Sequence, residues 1–410
     1  MAVRQHALTI LAPVRAAARQ GLEQRLDAVE GAVHDALATV GSLHFARFVV
    51  IEGSRGAKEP GSRLAFESNH DGERAEHVAD LARALAPFED LLAASWEGFV
   101  KGDFAGFAET HALPATTFYL GHPGLSAKQI QNDRDVRLRL GSLLDEEDAN
   151  DQVTGSTSIQ LRTRLLAGLA SAGLILGPVD RGLPAQPWTR LYFYLGVIPA
   201  VFVLALFFVP AALVVEWHER RTEPKRDLVT EEDPRLERIN AREDASSQNG
   251  LTHYVWLRPG PFRKTTLSLV LWFLEQARSC IAYEGELGGI ASIHFARWVL
   301  LDDETVLFFS NYDGSWEAYL GDFVDKAHFY LTAVWTNTKW FPDTNGLIFG
   351  GAAKESTFKQ WTRTCQVENQ IWYSAYKDLT VLDVLRNALV RDGATGEMTE
   401  EQAQVWLARL

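Results

Sequence analysis

Two short runs hold the residues best placed to do chemistry. Ser42-Leu43-His44-Phe45-Ala46-Arg47-Phe48-Val49 returns 250 positions later as Ser292-Ile293-His294-Phe295-Ala296-Arg297-Trp298-Val299. A second match follows each copy, Phe66-Glu67-Ser68-Asn69-His70-Asp71-Gly72 against Phe308-Phe309-Ser310-Asn311-Tyr312-Asp313-Gly314, with Asp80 and Asp322 each nine residues past the aspartate of the Asp-Gly step. An arginine inside an apolar strand needs a counter-charge, because a buried unpaired ion costs several kcal/mol. Asp71 or Asp80, and Asp313 or Asp322, are the candidates. Arg297 and Asp313 together at a cavity mouth, with His294 and Asn311 beside them, would form a charged catalytic group. The alternative is an ion pair that holds the second helix of the repeat on its sheet, with the histidine as a structural donor. Duplication favours the second, because a body with pseudo-twofold symmetry rarely runs two identical sites. The Asn-X-Asp-Gly step also reads as a turn and cap, since Asn and Asp favour such positions and Gly supplies the permissive backbone.

The elements that must position these residues repeat as well. In the second copy the pattern predicts a strand at 252–257, a helix at 261–283, a strand at 291–301, a turn at Asp302-Asp303, a strand at 305–310 and a helix at 315–331. A fourth strand is expected within 332–338 or 346–350. The first copy gives strands at 7–12, 43–51 and 63–67, helices at 14–37 and 73–85, and a longer loop from Gly53 to Gly61. Strict alternation along the third element places His294, Ala296 and Trp298 on one face and Phe295, Arg297 and Val299 on the other. Strand-helix-strand-strand-helix-strand is the order of a ferredoxin-like unit. The expected fold class is therefore α+β: two fused ferredoxin-like repeats forming an intramolecular α+β barrel, with a hydrophobic membrane segment inserted between them. The expected domains are 1–150 for the first repeat, 160–217 for the membrane-associated segment, 218–250 for a charged linker, 251–395 for the second repeat and 396–410 for a last helix, opened by the capping-box spacing Thr399-Glu400-Glu401-Gln402.

Two antiparallel sheets, each covered by helices on one face, are expected to pack their bare faces together. This arrangement resembles the dimeric α+β barrel superfamily fused into one chain. The Asp-Gly step resembles the GxxDG motif of the dye-decolorising peroxidases, with Asn69 and Asn311 in place of its leading glycine. That resemblance implies haem, an aspartate role for Asp71 or Asp313, and an arginine role for Arg47 or Arg297 on the peroxide side. Haem also needs an axial ligand, commonly histidine. His328 is the candidate, with Trp316 and Tyr319 as cofactor-binding residues, because the second copy is aromatic where the first is small, apolar or charged, as at Ala86 opposite His328. His122, in the Gly121-His122-Pro123-Gly124 turn, is the runner-up ligand. The structural alternative is a lone helical histidine and aromatics that simply pack.

The most apolar segment is Leu191 to Val215, 25 residues without a charge, more than the roughly 20 that cross a bilayer as a helix. Trp188, Tyr192, Tyr194 and Trp217 flank it, and Arg220, Arg221, Lys225 and Arg226 follow, so the C-terminal flank reads as cytoplasmic. One simple crossing would separate the repeats. A second stretch, Leu165 to Val179, is rich in small residues, so the expectation is a shallow hairpin on the cytoplasmic leaflet with both repeats on that side. The expected partners are the bilayer and a lipophilic small molecule.

With 47% hydrophobic residues the chain has ample core-forming material, and a net charge of −13 argues against a nucleic-acid partner. The two cysteines, Cys280 and Cys365, form no CxxC, so no disulfide framework or zinc motif is read. No GxGxxG, Walker loop, HExxH or GxSxG is present, which removes the usual support for nucleotide, zinc-protease or esterase chemistry. Two functions remain: a membrane-associated haem-dependent oxidoreductase of peroxidase type acting on a lipophilic substrate, or a non-catalytic membrane-anchored module binding an apolar ligand or a partner protein.

Overall fold

The computed structural model describes residues 3–52, 61–150, 153, 155–172, 176, 187–222, 233–243, 245–280, 290–301 and 304–410. The expected loop at 53–61 and turn at 302–303 lie mostly or wholly outside them. The N-terminal half runs β1 (Gln5–Pro13), α1 (Leu22–Asp27), α2 (Glu30–Leu37), β2 (Leu43–Ile51), β3 (Arg63–Asp71), α3 (Arg74–Leu85), α4 (Glu89–Ser95), α5 (Phe104–His111), β4 (Ala112–Leu113), β5 (Thr117–Leu120), α6 (Ala127–Ala149) and α7 (Ser158–Ser171). Helices α8 (Pro187–Tyr192), α9 (Ile198–Thr222) and α10 (Pro234–Arg242) lead to the C-terminal half. There follow β6 (Gln248–Trp256), α11 (Pro261–Cys280), β7 (Ile293–Leu300), β8 (Thr305–Asp313), α12 (Trp316–Trp335), β9 (Thr344–Asn345), β10 (Phe349–Gly350), α13 (Glu355–Cys365), β11 (Ile371–Ser374), α14 (Val381–Ala394) and α15 (Glu400–Leu407).

The chain is α+β, and its sheets are antiparallel. The larger two have the orders β11-β2-β3-β1-β4 and β5-β7-β8-β6. Each takes one strand from the other half of the chain. β5 pairs with β7, setting Phe118 opposite Arg297, and β11 pairs with β2, setting Trp372 opposite Arg47. Among the described residues no strand completes the second sheet beyond β6: 332–335 continues α12, β9–β10 is a separate two-residue pair, and β6 and the residue after it make only the isolated bridges His253–Gln366 and Leu257–Thr338.

All nine residues of β2 are buried, because the strand lies between two layers. Its outer face packs with Leu8, Ile10, Leu81, Leu85 and Trp96 under the first helical layer. Its inner face, through Val49 and Ile51, meets Val299, Leu301, Leu307 and Phe309 of the second sheet. Alternation fails at one point in each copy. Leu43 pairs with His70 and Phe45 with Asn69, and likewise Ile293 pairs with Tyr312 and Phe295 with Asn311. His44 and His294 are the extra residues of two β-bulges, which re-aim a side chain locally. Ile293 thus turns to the outer core with Ala296 and Trp298, and His294 joins Phe45 instead of following them.

Three other expectations change. The helix read across 14–37 is divided into α1 and α2 after a short turn. Part of the supposed linker is α10, which buries Leu236 and Ile239 and is tied down by Arg242 to Asp27, Glu30 and Glu368. The stretch from Leu165 enters α7, where Leu165 and Leu169 turn inward against Val136, Leu140, Val390 and Trp406. That removes one arm of the expected membrane hairpin; most of 173–186 lies outside the described residues. The Thr399 capping box with Gln402 opens α15 as read.

Gly121 marks the point where β5 crosses to the other half, its amide bonded to His294 O at 2.8 Å. A Cβ there would meet Ile293 O at 2.0 Å. Gly121→Ala is expected to cost ~2 kcal/mol or more, since main chain cannot be moved aside cheaply. Gly141→Ala, in open space on α6, should gain up to ~1 kcal/mol from helix propensity. Denaturant titration of the two variants checks the opposite signs.

Candidate functional site

The repeated arginines do not meet their own aspartates. Each reaches across the seam between the sheets. Arg297 donates to Leu8 O (2.9 Å), Thr9 Oγ1 (3.0 Å), Ser68 O (2.8 Å), Asn69 Oδ1 (3.2 Å) and the Glu67 carboxylate. Arg47 donates to Glu67 Oε2 (2.8 Å), Leu251 O (2.9 Å), Thr252 Oγ1 (3.2 Å), Ser310 O (3.1 Å) and Asn311 Oδ1. One carboxylate thus serves two guanidiniums. At the position matching Glu67 the second copy has Phe309, whose ring lies 5.6 and 5.8 Å from the two guanidinium carbons. Burial pushes Arg47 down to about 9. Burial, and then the proximity of Arg47, holds Arg297 well below its ordinary value. Glu67 and the ring of acceptors oppose that pull, and arginine does not deprotonate in proteins, so both remain cations. The Arg297–Asp313 pair is overturned in both its catalytic and its intra-repeat form. Asp80 and Asp322 instead pair on the surface with Arg83 and Lys326.

Asp313 has another task. Its Oδ1 accepts from His294 Nε2 at 2.7 Å and its Oδ2 from Val381 N, the first residue of α14, at 2.7 Å. Asp71 does the same with His44 Nε2 (2.9 Å) and Ala127 N of α6 (2.8 Å). Aspartate at a helix N-terminus is held by the orphan amides and the dipole. The Asn-X-Asp-Gly step is a turn as well, with Gly72 and Gly314 at φ +75° and +79°. With Nε2 donating to aspartate, each Nδ1 is an acceptor. Tyr376 Oη lies 2.7 Å from His44 Nδ1, and His122 Nε2 lies 3.3 Å from His294 Nδ1, both within hydrogen-bonding reach in that tautomer. Tyr376 and His122 stand 3.4 Å apart, closing a chain Asp71-His44-Tyr376-His122-His294-Asp313 through the seam. Burial, then His294 and His44, holds His122 well below the usual histidine value. Burial, then the two aspartates, holds Tyr376 well above the usual tyrosine value. Neither changes charge near neutral pH.

The residues expected around a haem lie apart. Asn311 is spent on Arg47 and on Trp372 Nε1 (3.0 Å). Tyr319, on the buried face of α12, is stacked on Tyr312 at 3.9 Å and bonded to Ser310 Oγ at 2.8 Å. His77, stacked on His70 and bonded to Ser68, fills the equivalent place in the first copy. Trp316 is buried under the Arg363 guanidinium, 3.7 Å from its ring. His328 is half-buried, with Nδ1 on Val324 O at 2.9 Å. These three sit on the helical side of the second sheet, whereas Arg297 works on the opposite side. Both terminal nitrogens of Arg297 are already turned to protein oxygens. The residues present do not fit around one haem. Among the described residues, no three His, Cys, Asp or Glu side chains are grouped as a metal ion would require.

A polar cleft of about 390 Å³ opens beside Gln248, between α2, α10 and β11. Its charges are largely paired within the protein: Arg242 with Asp27, Glu30 and Glu368, and Glu243 with Arg363.

The least satisfied surface is apolar. A π-helical turn, Phe193–Val197, joins α8 and α9 into one rod, and its stretch Trp188–Leu206 is long and apolar enough to cross a membrane. Near its start, Phe193 and Val197 are buried against Phe273, Ala277 and Cys280 of α11. Near its end, buried Glu216 accepts from Thr344 Oγ1 (2.7 Å), Gly346 N (2.9 Å) and Leu347 N (3.1 Å). Between these fastenings the outer face is bare, with Leu195 70%, Phe202 68% and Leu206 62% exposed. Sequence reasoning found this helix and the paired arginines. It missed Glu67, whose signal was a charged residue standing where the other copy of the motif has phenylalanine, and it missed the Tyr376–His122 bridge, which comes from outside the motif. No family model and no curated protein sequence matches the chain.

Glu67→Gln would leave two buried cations facing no anion, and a loss of ~3–5 kcal/mol is expected in denaturant titration. Acid should weaken the fold. Burial holds His70 at about 4, His77 at about 2 and His253 at about 3, with His122 also low. The unfolded chain takes up these protons first, so their stabilisation is complete above pH ~6.5 and declines as pH falls toward 4. Asp133, raised by burial to about 6, and Glu23, also raised by burial, act in the opposite sense. The urea midpoint should therefore be lower at pH 5 than at pH 7.5.

Proposed function

We propose that this chain is a membrane-surface module of the non-catalytic kind. Two ferredoxin-like repeats close into one intramolecular α+β barrel, and the α8–α9 rod holds that barrel on the bilayer. The strand order and the exchange of β5 and β11 at matching registers support the barrel reading. One observation carries the membrane reading: the rod is fastened to the second half near both ends while its outer face presents Trp188, Leu195, Phe202, Leu206 and Val214 to solvent.

The same fastening favours lying in the interface over crossing. A crossing rod would draw α11 with it, and Arg263, Lys264 and Glu275 of α11 are costly in hydrocarbon. A helix with one apolar side exposed rests instead in the plane of the leaflet, buried ~5–10 Å. Trp188, Tyr192, Tyr194 and Trp217 suit the headgroup layer. The basic residues that follow in sequence suit the anionic cytoplasmic leaflet, which leaves both repeats on that side.

Flotation with phosphatidylcholine–phosphatidylserine vesicles tests this. The full chain should float, and the double variant Leu195→Glu, Phe202→Glu should lose at least ~10-fold in vesicle affinity while its circular dichroism is unchanged. Equal flotation of the two proteins would sink the reading.

A further inference from the structure

Behind the exposed face of the rod lies a groove of about 590 Å³ between α9, α11 and α12, closed at one side by the turn at Gly346–Ile348. The volume falls within the ~300–1,000 Å³ of small-molecule sites. Val201, Leu204 and Val209 form one wall, Val270 and Phe273 the floor, and Phe329 stands opposite. We infer that this groove binds one long hydrocarbon chain of a membrane lipid. The inference rests on the membrane reading for the source of the chain, because the groove is continuous with the face that reading places among acyl tails.

Chemistry selects the occupant. No Asp, Glu, Lys, Arg or His side chain is among the described residues lining the groove, the Tyr330 side chain in its lining is 55% exposed, and the Thr266 hydroxyl is turned to Phe262 O at 2.8 Å. The nearest backbone donors are withdrawn too. Gly346 and Leu347 adopt left-handed φ values of +61° and +73°, uncommon for leucine, and their amides point to the Glu216 carboxylate. A polar ligand would therefore lose its hydration without replacement, whereas methylenes lose nothing. Shape selects a chain over a compact ring. The lining runs from 201 to 209 on α9 and from 266 to 274 on α11, about 12 Å of helix on each side.

The probe is cis-parinaric acid, an 18-carbon fluorescent chain, titrated into the detergent-purified full chain. Saturable binding at one probe per chain is expected. Ala205→Phe and Ala333→Phe, which fill the groove from two half-buried positions, should each weaken it at least tenfold and leave vesicle flotation unchanged. Leu195→Glu should reduce flotation and leave probe binding intact. Non-saturating fluorescence, or full affinity in both groove variants with native circular dichroism, overturns the inference. Saturable binding by a chain that does not float would retain the groove and remove the membrane reading.

Discussion

Two arginines and one carboxylate in a buried seam constrain the rest of this molecule. Arg47 and Arg297 approach from opposite halves, and each takes backbone carbonyls and an asparagine from the sheet it faces. Among the described residues Glu67 alone supplies negative charge between them, so separating the halves would strand cations in an apolar face, which is far costlier than losing a surface pair. The arrangement also depends on the halves being covalently joined and unlike. A symmetric dimer of either half would place two glutamates or two phenylalanines at the seam. One glutamate against one phenylalanine gives a single anion, flanked by an aromatic face that the guanidiniums also contact.

Strand exchange fixes the geometry that this charge pattern stabilises. β5 and β11 cross between halves at the same relative register, so Phe118 and Trp372 lie beside the two arginines. At the ends of these strands the motif histidines meet residues that differ between the copies: Tyr376 serves His44 and His122 serves His294. Each aspartate holds its histidine and the start of α6 or α14 together, and those helices pack against each other. A buried polar chain of this kind is satisfied in one register and not in neighbouring ones, which selects a unique packing as much as it adds stability.

How far the sequence was legible depended on where the deciding energy lay. The bounds of β2 were read correctly from its apolar run, and the repeat placed β7, β8, α3 and α12 to within a few residues. β11 was missed because four residues carry little periodicity and pair with a strand more than three hundred positions away. The faces around His294 were misassigned because a bulge leaves no mark in a simple alternation. Composition made 223–249 look like a linker, whereas α10 is held by two buried aliphatics and by Arg242 among three carboxylates. Asp313 was read as a catalytic candidate, with a turn and cap as the alternative for its Asn-X-Asp-Gly step; the helix amide it accepts from lies nearly seventy residues away.

The same distinction separates the two apolar segments. From Leu165 to Ser171, α7 buries Leu165 and Leu169 against Val136, Leu140, Val390 and Trp406, so it behaves as a core helix. Between Leu191 and Val215 the α8–α9 rod carries no charge on any side, and α11 and the 344–347 turn can cover only one side of it. A helix apolar on every face belongs in a low-dielectric surrounding on every face, and protein supplies that on one side alone. What covers the other side must be apolar and must also tolerate the rod being fixed along the body by Phe193 and Glu216. On the proposed reading a leaflet meets both conditions, and because Glu216 spends its carboxylate on the Thr344 hydroxyl and two backbone amides, the space behind the rod would share the apolar surroundings of its outer face.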